Sequence, residues 1–261
     1  MRIPPDPFSI WTMEIGIYGL GRFGTLWADL LADVFTVKAY SRNPDRPVPA
    51  GVKWVEKEEM CACDTVFLCV AISALEEVLE DISGLVKPGA IVADTCSVKM
   101  YPVRVMRELL PDTVSVLGTH PMFGPDSAKY GTAGLPIVMT PVHGSERAVE
   151  TWTKPFKEMG LDVYTLTPEK HDKEAAYTQG VTHFIGRVLD DLSLEPSEIG
   201  TFGFGKLLEI IEQTCNDPWQ LFLDLQRYNP YTKEMRVKLQ KSLEKMLHIL
   251  ENTIPLDSEK S

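Results

Sequence analysis

The chain has 261 residues, 44% hydrophobic and 24% charged, a composition typical of a globular protein with one large domain or two modest ones. Lysine and arginine total 26 against 37 acidic residues, giving a formal net charge of -11, which argues against nucleic acid or an anionic membrane as the main partner. No apolar run approaches the ~18 residues needed to predict a membrane span.

Residues 1–12 contain three prolines and no clear periodicity. They show neither the basic-then-apolar pattern of a secretory signal nor the pattern of a transit peptide. We therefore expect an N-terminal arm, with Met13 as an alternative start. The five cysteines include no CxxC pair, and without a secretory signal they predict reduced thiols and a cytoplasmic location.

From Met13 to about Thr167, short β-rich apolar runs alternate with helical stretches. This alternation is typical of an α/β fold, a doubly wound parallel sheet with helices on both faces. Seven strands are predicted, at 14–18, 36–40, 65–70, 90–94, 114–118, 136–140 and 162–166. Four helices are predicted between them, at 22–32, 73–82, 100–109 and 145–159. Residues 13–167 are thus expected to form one Rossmann-type dinucleotide-binding domain.

Residues 168–261 contain no convincing strand and are predicted to form an all-α domain. Its helices are expected at 174–192, 206–215, 218–228 and 230–252. Asp217-Pro218 and Asn229-Pro230 each place a capping side chain before a proline at the first helical position. The last helix carries a broad apolar stripe. We therefore expect homodimerisation through this domain, although docking on the first domain would use the same surface.

A glycine-rich turn follows the first predicted strand and opens a helix. It consists of Gly19, Leu20, Gly21, Arg22, Phe23 and Gly24. The first glycine allows the tight turn, the second lets a pyrophosphate approach the backbone, and the third lets helix and strand pack closely. This context favours dinucleotide binding over a ligand-free turn. Val70, at the end of the third predicted strand, is expected to line the cofactor site or to pack in the core.

The end of the second predicted strand bears on which dinucleotide is bound. In NAD-binding versions of the fold, an acidic residue there accepts hydrogen bonds from the adenine ribose. Here Ser41 and Arg42 follow Tyr40, and their hydroxyl and guanidinium groups are suitable donors for a 2'-phosphate. NADP is therefore predicted over NAD. The alternatives are a solvated loop and a ribose contact from Asp45.

Polar segments follow the fourth and fifth predicted strands. They carry Ser97 and Lys99 in one case and His120, before a proline, in the other. Ligands of open parallel sheets bind outside the carboxyl ends of the strands, so Ser97 and His120 are expected to face one crevice. Lys99 is expected either to attract an anionic ligand or to be a solvated charge at a helix start.

The first helix of the all-α domain carries Gln179, His183 and Arg187 at i, i+4 and i+8. These residues share one side of a helix that is otherwise rich in apolar residues. Such a polar line favours a ligand-facing helix. The alternative is a face turned to water.

Together these segments resemble the prephenate and arogenate dehydrogenases of tyrosine biosynthesis, the plant-like arogenate branch most of all. The resemblance runs from Met13 to about Asn252. The matching segments are 19–24, 94–99, 119–127, 134–136, 169–173, 179–183 and 214–219. It implies oxidative decarboxylation of a cyclohexadienyl substrate, in which a hydride passes from the hydroxyl-bearing ring carbon to the nicotinamide and loss of CO2 aromatises the ring.

The resemblance also implies roles for individual residues. His120 would accept the hydroxyl proton, because an unperturbed imidazole pKa of about 6.5 leaves it largely neutral at physiological pH. Ser97 would hold the same hydroxyl or orient the imidazole, with helix capping as the alternative. Gln179, His183 and Arg187 would close the substrate pocket.

Thr214 and Asp217 match a Thr-x-x-Asp arrangement of the arogenate branch. Arogenate carries an ammonium group where prephenate carries a keto group, so a carboxylate at Asp217 would favour arogenate. Asp217 also suits the N-cap before Pro218, and both roles can coexist. The bacterial prephenate-preferring pattern has an arginine shortly before this aspartate, whereas here Glu212 and Gln213 stand in those places.

Two rival functions remain open. One is an NADP-dependent hydroxyacid or imine reductase of similar two-domain plan, which would usually depend on a lysine in the helical part. The other is a non-catalytic NADPH-sensing protein, against which Ser97 and His120 argue. No metal site is predicted, since the sequence has no HExxH, no Cys/His cluster and no calcium-binding loop.

Overall fold

The computed structural model describes residues 12–142 and 145–253. Nearly all of the predicted N-terminal arm lies outside these residues. The first part of the chain forms an eight-stranded sheet in the order β3-β2-β1-β4-β5-β6-β7-β8. The strands are β1 (Glu14–Tyr18), β2 (Thr36–Tyr40), β3 (Val52–Trp54), β4 (Thr65–Leu68), β5 (Ile91–Asp94), β6 (Ser115–Pro121), β7 (Pro136–Pro141) and β8 (Asp162–Thr165).

All seven predicted strands are confirmed, with ends that shift by a few residues. The sheet is parallel, as predicted, except at one place, where β6 and β7 pair antiparallel. Residues 122–135 between them contain no helix, and an antiparallel pair needs only a loop, whereas parallel strands need a longer crossover. Strand β3 was not predicted, because this three-residue edge strand is too short to show alternation.

The helices of the first part are α1 (Arg22–Ala32), α2 (Lys57–Cys61), α3 (Leu75–Ile82), α4 (Met100–Leu109) and α5 (Glu146–Glu158). They cover both faces of the sheet, as predicted, although the short α2 was missed. Side chains alternate between the faces along each strand: Phe67 joins the core under α1 and α5, while Val66 and Leu68 join the core under α3 and α4.

The second part contains helices and no strand among its described residues. It contains α6 (Pro168–Ala175), α7 (Val181–Asp191), α8 (Phe202–Cys215), α9 (Trp219–Tyr228) and α10 (Thr232–Thr253), with a π-helical turn at Ala176–Gly180 joining α6 to α7. The first helical run begins six residues before its predicted start, because Thr167 Oγ1 accepts the N–H of Lys170 and caps α6. None of the helices in residues 12–142 and 145–253 combines the length and apolarity needed to cross a bilayer.

The predicted caps of the last two helices were wrong. Pro218 itself occupies the cap position of α9, and no side chain caps that end. Helix α10 begins at Thr232, and the Asn229 side chain instead accepts the N–H of Tyr231 at 2.9 Å, in the turn before the helix. The side chain of Asp217 instead forms an ion pair with Arg22 of the first part, as described below.

The helical part docks on the carboxyl edge of the sheet through two buried aspartates. Asp172, on α6, accepts the backbone N–H groups of Lys99 at 2.6 Å and Met100 at 2.9 Å, at the start of α4. Asp224, on α9, accepts the N–H and the hydroxyl of Ser73 at 3.0 and 2.9 Å. These bonds fix the helices above the strand ends, where a ligand site of such a sheet is expected.

Candidate active site

A cavity of about 520 Å³ lies between the carboxyl ends of the strands and the helical part. Its walls come from the glycine-rich turn, from the segments after β4, β5 and β6, and from helices α7, α8 and α9 with the π-helical turn. The predicted site residues that line it are Gly21, Arg22, Phe23, Gly24, Val70, Ser97, His120, Gln179, His183, Thr214 and Asp217. The fold thus brings most of the predicted cofactor and substrate residues to one crevice.

The glycine-rich turn has the shape that a dinucleotide requires. Gly19 has a φ of +104°, and a Cβ on Gly24 would lie 1.9 Å from the carbonyl oxygen of Gly19, so neither position tolerates a side chain. At Gly21, by contrast, a Cβ would meet nothing within 4 Å. This open space adjoins the N-terminus of α1, whose first N–H groups lack partners within the helix. The residues present therefore fit a bound pyrophosphate.

Arg22 connects this turn to the helical part. Its guanidinium binds Asp126, in the loop after β6, at 2.5 Å and Asp217 at 2.8 Å. Asp217 therefore lies at the cavity with its carboxylate already paired to a cation. The capping role predicted for Asp217 is replaced by this ion pair.

Ser41 and Arg42 lie directly beyond β2, whose last carbonyl, that of Tyr40, accepts the N–H of Gly19 at 2.8 Å. They are thus next to the glycine-rich turn, although neither lines the cavity. Ser41 is buried, while Arg42 is exposed and pairs with Glu77 at 3.0 Å. Asp45 is exposed, and its backbone N–H donates to the side chain of Asn43.

His120 is buried at the cavity wall and is held by a second histidine. Its Nδ1 lies 2.8 Å from Nε2 of His171, and Nδ1 of His171 lies 2.8 Å from Oδ1 of Asp172. Burial lowers the pKa of His120 well below 6.5, and the nearby His171 adds to this effect. His120 is therefore a neutral imidazole at neutral pH.

His171 and Asp172 were not predicted as site residues from the sequence. Both are buried and lie on α6, ahead of the predicted start of that helical run. The available signal was an adjacent histidine and acid in one of the family-like segments. The contact of His171 with His120 depends on tertiary packing, which no local pattern reports.

Ser97 offers a free hydroxyl at the cavity. It is buried, and its Oγ has no hydrogen-bond partner among the described residues. The helix-capping alternative was wrong, since Lys99 is the cap residue of α4 and no side chain caps that end. His120 is oriented by His171 rather than by Ser97. A buried hydroxyl without a partner is normally satisfied by a ligand or a water.

Gln179, His183 and Arg187 do not form a solvated face. Gln179 lies in the π-helical turn. Each of the three side chains has a buried atom without a hydrogen-bond partner among the described residues: Oε1 of Gln179, Nδ1 of His183 and Nε of Arg187. Gln179 and His183 line the cavity. Arg187 lies behind them, where it donates to the backbone carbonyl of Asp217 at 2.8 Å and stacks over the Trp219 ring.

Thr214 is less suited to substrate binding than predicted. Its hydroxyl donates to the carbonyl of Ile210 at 2.8 Å within α8. The side chain also fills the space beside Gly186, where a Cβ would come within 2.0 Å of the Thr214 hydroxyl oxygen. Thr214 therefore packs α8 closely against α7, with its donor already used.

Both alternatives considered for Lys99 were wrong. The side chain is fully buried, and its Nζ donates to Oδ2 of Asp94 and to the carbonyl of Thr119. Asp94 also accepts the N–H of Cys96 at 2.9 Å. The buried pair therefore ties the end of β5 to the end of β6, beside His120.

The burial of three histidines predicts how the free energy of unfolding depends on pH. Burial is the main cause of the lowered pKa values of His120, His171 and His183, whereas in the unfolded chain each titrates near 6.5. As pH falls through 6.5, protons bind the unfolded chain preferentially, so the free energy of unfolding is greatest above this pH and declines below it. Urea unfolding at about pH 7.5 and about pH 5.5 measures the change.

His183→Gln is expected to reduce this pH dependence, because it removes one of the three groups. His248→Gln serves as the matched control, since His248 is exposed on α10 and its substitution should leave the pH dependence as it was. An unfolding midpoint that stays constant or rises on acidification would contradict the prediction.

Comparisons with known proteins identify relatives of this chain. The family model described as prephenate dehydrogenase, nucleotide-binding domain, matches residues 36–165, and the one described as TYRAAT1-like, C-terminal domain, matches residues 188–260. The first match begins after the glycine-rich turn. Together the two models cover both parts of the fold.

Two plant proteins and one solved structure are similar along most of the chain. Arogenate dehydrogenase 2, chloroplastic, of Arabidopsis thaliana is 32% identical over 244 residues, covering 89% of this chain and 68% of the relative. Arogenate dehydrogenase 1, chloroplastic, of the same organism is 33% identical over 236 residues, covering 85% of this chain but only 37% of the relative. The solved structure is that of prephenate dehydrogenase from A. aeolicus in complex with hydroxyphenyl propionate and NAD+. It superposes with a TM-score of 0.75 at 19% identity and covers 95% of this chain and 93% of that one. This similarity shows a shared fold.

Proposed function

This chain belongs to the prephenate and arogenate dehydrogenase family, and on that basis we propose that it oxidatively decarboxylates arogenate with transfer of a hydride to NADP. The product would be tyrosine. The observation that carries the proposal is the placement of His120 and Ser97 on one cavity that also holds the glycine-rich turn. A proton acceptor and a free hydroxyl thereby lie next to the place that fits a dinucleotide.

In this mechanism the protein supplies binding, orientation and one proton acceptor. The bound dinucleotide supplies the hydride acceptor. His120, neutral because it is buried, takes the proton of the ring hydroxyl. A weak base suffices, since the hydroxyl becomes strongly acidic as the hydride leaves its carbon. Loss of CO2 then forms the aromatic ring, and the proton returns from His120 to the phenolic oxygen.

The other cavity residues hold the substrate. Ser97 has an unpartnered hydroxyl suited to the same ring oxygen, while Gln179 and His183 present unpartnered polar atoms from the helical side. A reductase that depends on a cavity lysine fits less well, because no lysine among the described residues lines the cavity. The assays described next distinguish this enzyme from a non-catalytic NADPH sensor.

Assays of the purified chain with arogenate and prephenate, each with NADP and NAD, test the activity and the cofactor together. We expect hydride transfer, followed by absorbance of the reduced nicotinamide, with the highest kcat/KM for arogenate and NADP. A chain that binds the cofactor but reduces it with neither substrate would support the sensor instead. A tenfold or greater preference for NAD would contradict the cofactor proposal.

The NADP preference rests on Ser41 and Arg42 at the end of β2. Arg42 is more than half exposed, and its contact with Glu77 is a surface ion pair. Such pairs contribute little to stability, so the guanidinium can turn towards a 2'-phosphate at small cost. No carboxylate occupies residues 41–44, where one would repel that phosphate.

The preference for arogenate rests on Asp217. Asp217→Asn removes the negative charge but keeps the shape, and it is expected to lower kcat/KM for arogenate by about 10- to 100-fold, the worth of a hydrogen bond to a charged group. The value for prephenate, which lacks the ammonium, should fall less or rise. The ratio of the two kcat/KM values is the measurement.

Asp126→Asn is the matched control, because Asp126 is the other carboxylate that binds Arg22. Its substitution disturbs Arg22 but keeps the carboxylate of Asp217, so it should change the ratio of the two kcat/KM values less than Asp217→Asn does. If Asp217→Asn left the ratio of arogenate to prephenate unchanged, Asp217 would not determine selectivity.

We also propose that the chain forms a homodimer through α10. Met235, in its first part, is buried, whereas Leu243, Met246, Leu247 and Leu250 are more than half exposed. These four residues follow helical spacing and form one apolar stripe, which a second copy of the chain would cover. Sedimentation velocity distinguishes the dimer from a monomer, and Leu247→Glu should shift the dimer towards monomer.

We propose that the chain resides in a reducing cellular compartment. The five cysteines are free thiols, and burial raises the pKa of Cys61 to about 12 and that of Cys63 to about 11. Buried, protonated thiols of this kind are typical of proteins kept reduced. The two Arabidopsis relatives are described as chloroplastic, so the sequence-based prediction of a cytoplasmic location needs a direct localisation experiment.

A further inference from the structure

Three buried side chains form a continuous hydrogen-bonded chain that ends at the cavity. His120 contacts His171, and His171 contacts Asp172, each at 2.8 Å. All three are nearly inaccessible to solvent. The first is on β6, and the other two are adjacent on α6. Only His120 lines the cavity, so the other two can affect a ligand only through it.

The partners of Asp172 determine where each proton lies. Oδ1 of Asp172 accepts the backbone N–H of Lys99, and Oδ2 accepts that of Met100. A carboxylate in this position offers only lone pairs, so Nδ1 of His171 must carry a proton and donate it. Burial lowers the pKa of His171, despite the opposing effect of Asp172, so at neutral pH its Nε2 bears a lone pair.

The lone pair on His171 in turn fixes the state of His120. Nδ1 of His120 can form its hydrogen bond only as the N–H donor. In a neutral imidazole the remaining nitrogen, Nε2, is then unprotonated. This is the nitrogen left free to meet a ligand, and it is in the state that a proton acceptor requires.

We infer that His171 and Asp172 are positioning residues that hold His120 in the tautomer with a free Nε2, ready to take the substrate's hydroxyl proton. The catalytic part of this inference rests on the proposed function. When His120 receives the proton, its Nδ1–H bond to His171 strengthens, and the carboxylate of Asp172 stabilises the added charge. The proton on Nδ1 of His171 need not move to Asp172, as in other carboxylate-oriented histidines.

Two substitutions at His171 separate this role from simple packing. His171→Gln can present its side-chain oxygen to Nδ1–H of His120, whereas His171→Phe fills similar space and offers no acceptor. We expect the Phe variant to lose about 100-fold or more in kcat, within the usual range for proton-transfer catalysis, with KM for arogenate little changed. The Gln variant should retain kcat to within about 10-fold.

The ¹⁵N spectrum of the imidazole groups tests the tautomer without any assay of activity. In the wild-type protein we expect the His120 proton on Nδ1. In His171→Phe and in Asp172→Asn, which replaces an acceptor oxygen with a donor, the share of His120 with its proton on Nε2 should rise. Thermal unfolding shows whether each variant is folded at the assay temperature.

Each outcome bears on the inference. A wild-type His120 with its proton on Nε2 would overturn it. So would Phe and Gln variants that are folded and equally active. An inactive wild-type chain with the Nδ1 tautomer would support the positioning role and remove the proposed function, so the two failures are distinguishable.

Discussion

His120→Asn is expected to lower kcat for arogenate by about 1,000-fold, within the range lost when a positioned proton acceptor is removed. The asparagine amide can still donate to Nε2 of His171, in place of Nδ1 of His120. The substitution therefore removes the proton-accepting Nε2 while keeping the buried contact. Steady-state kinetics with saturating NADP measures the loss, and thermal unfolding should show a folded enzyme.

His183→Asn provides the comparison at the same cavity. Nδ1 of His183 has no hydrogen-bond partner in the described part of the chain, so we assign it to substrate binding. Its substitution should raise KM for arogenate more than it lowers kcat. Wild-type kcat in the His120→Asn enzyme would refute the mechanism proposed above.

The largest effect on stability is expected from Lys99→Met. Methionine replaces the aliphatic stem of the lysine but leaves the fully buried carboxylate of Asp94 without its cation. Breaking a buried ion pair in this way typically costs about 3–5 kcal/mol. We expect a loss of this size in the free energy of unfolding, measured with urea.

Lys87→Met is a matched control, because Lys87 and Asp64 form a pair of the same two residue types at the surface. Their side chains are 46% and 40% exposed, and such a pair contributes at most about 1 kcal/mol. Asp94→Asn added to Lys99→Met removes the unpaired charge and should restore part of the loss. Equal losses in Lys99→Met and Lys87→Met would show that burial of the Asp94 pair is not decisive.

Features encoded by short stretches of sequence were predictable. Gly19, Gly21 and Gly24 follow a strand and begin a helix. The backbone explains the glycines at 19 and 24, whereas Gly21 adjoins the open space that fits a ligand. The seven longer strands were also found, because they appear as β-rich runs between turn residues, and the central ones, β4 and β5, are buried throughout. The crevice that holds Ser97 and His120 followed from the general rule for the edges of parallel sheets.

Features that depend on distant residues were not predictable in the same way. Asp217 precedes a proline like a helix cap, but Arg22, distant in sequence, binds its carboxylate. Lys99 looks like a surface charge at a helix start, yet it is buried because Asp94 and the carbonyl of Thr119 compensate its charge. His171 meets His120 only after α6 docks on the sheet. In each case a tertiary partner outweighs the local preference.

The ion pair between Arg22 and Asp217 has a consequence for protein engineering. Arg22 belongs to the turn proposed to hold the pyrophosphate of the cofactor, and its guanidinium also binds the acid at which arogenate and prephenate are proposed to be distinguished. A grafted turn that lacks this arginine would leave Asp217 unneutralised and change its attraction for a substrate ammonium. Redesign of the cofactor site in this chain therefore has to be carried out together with selection of the substrate.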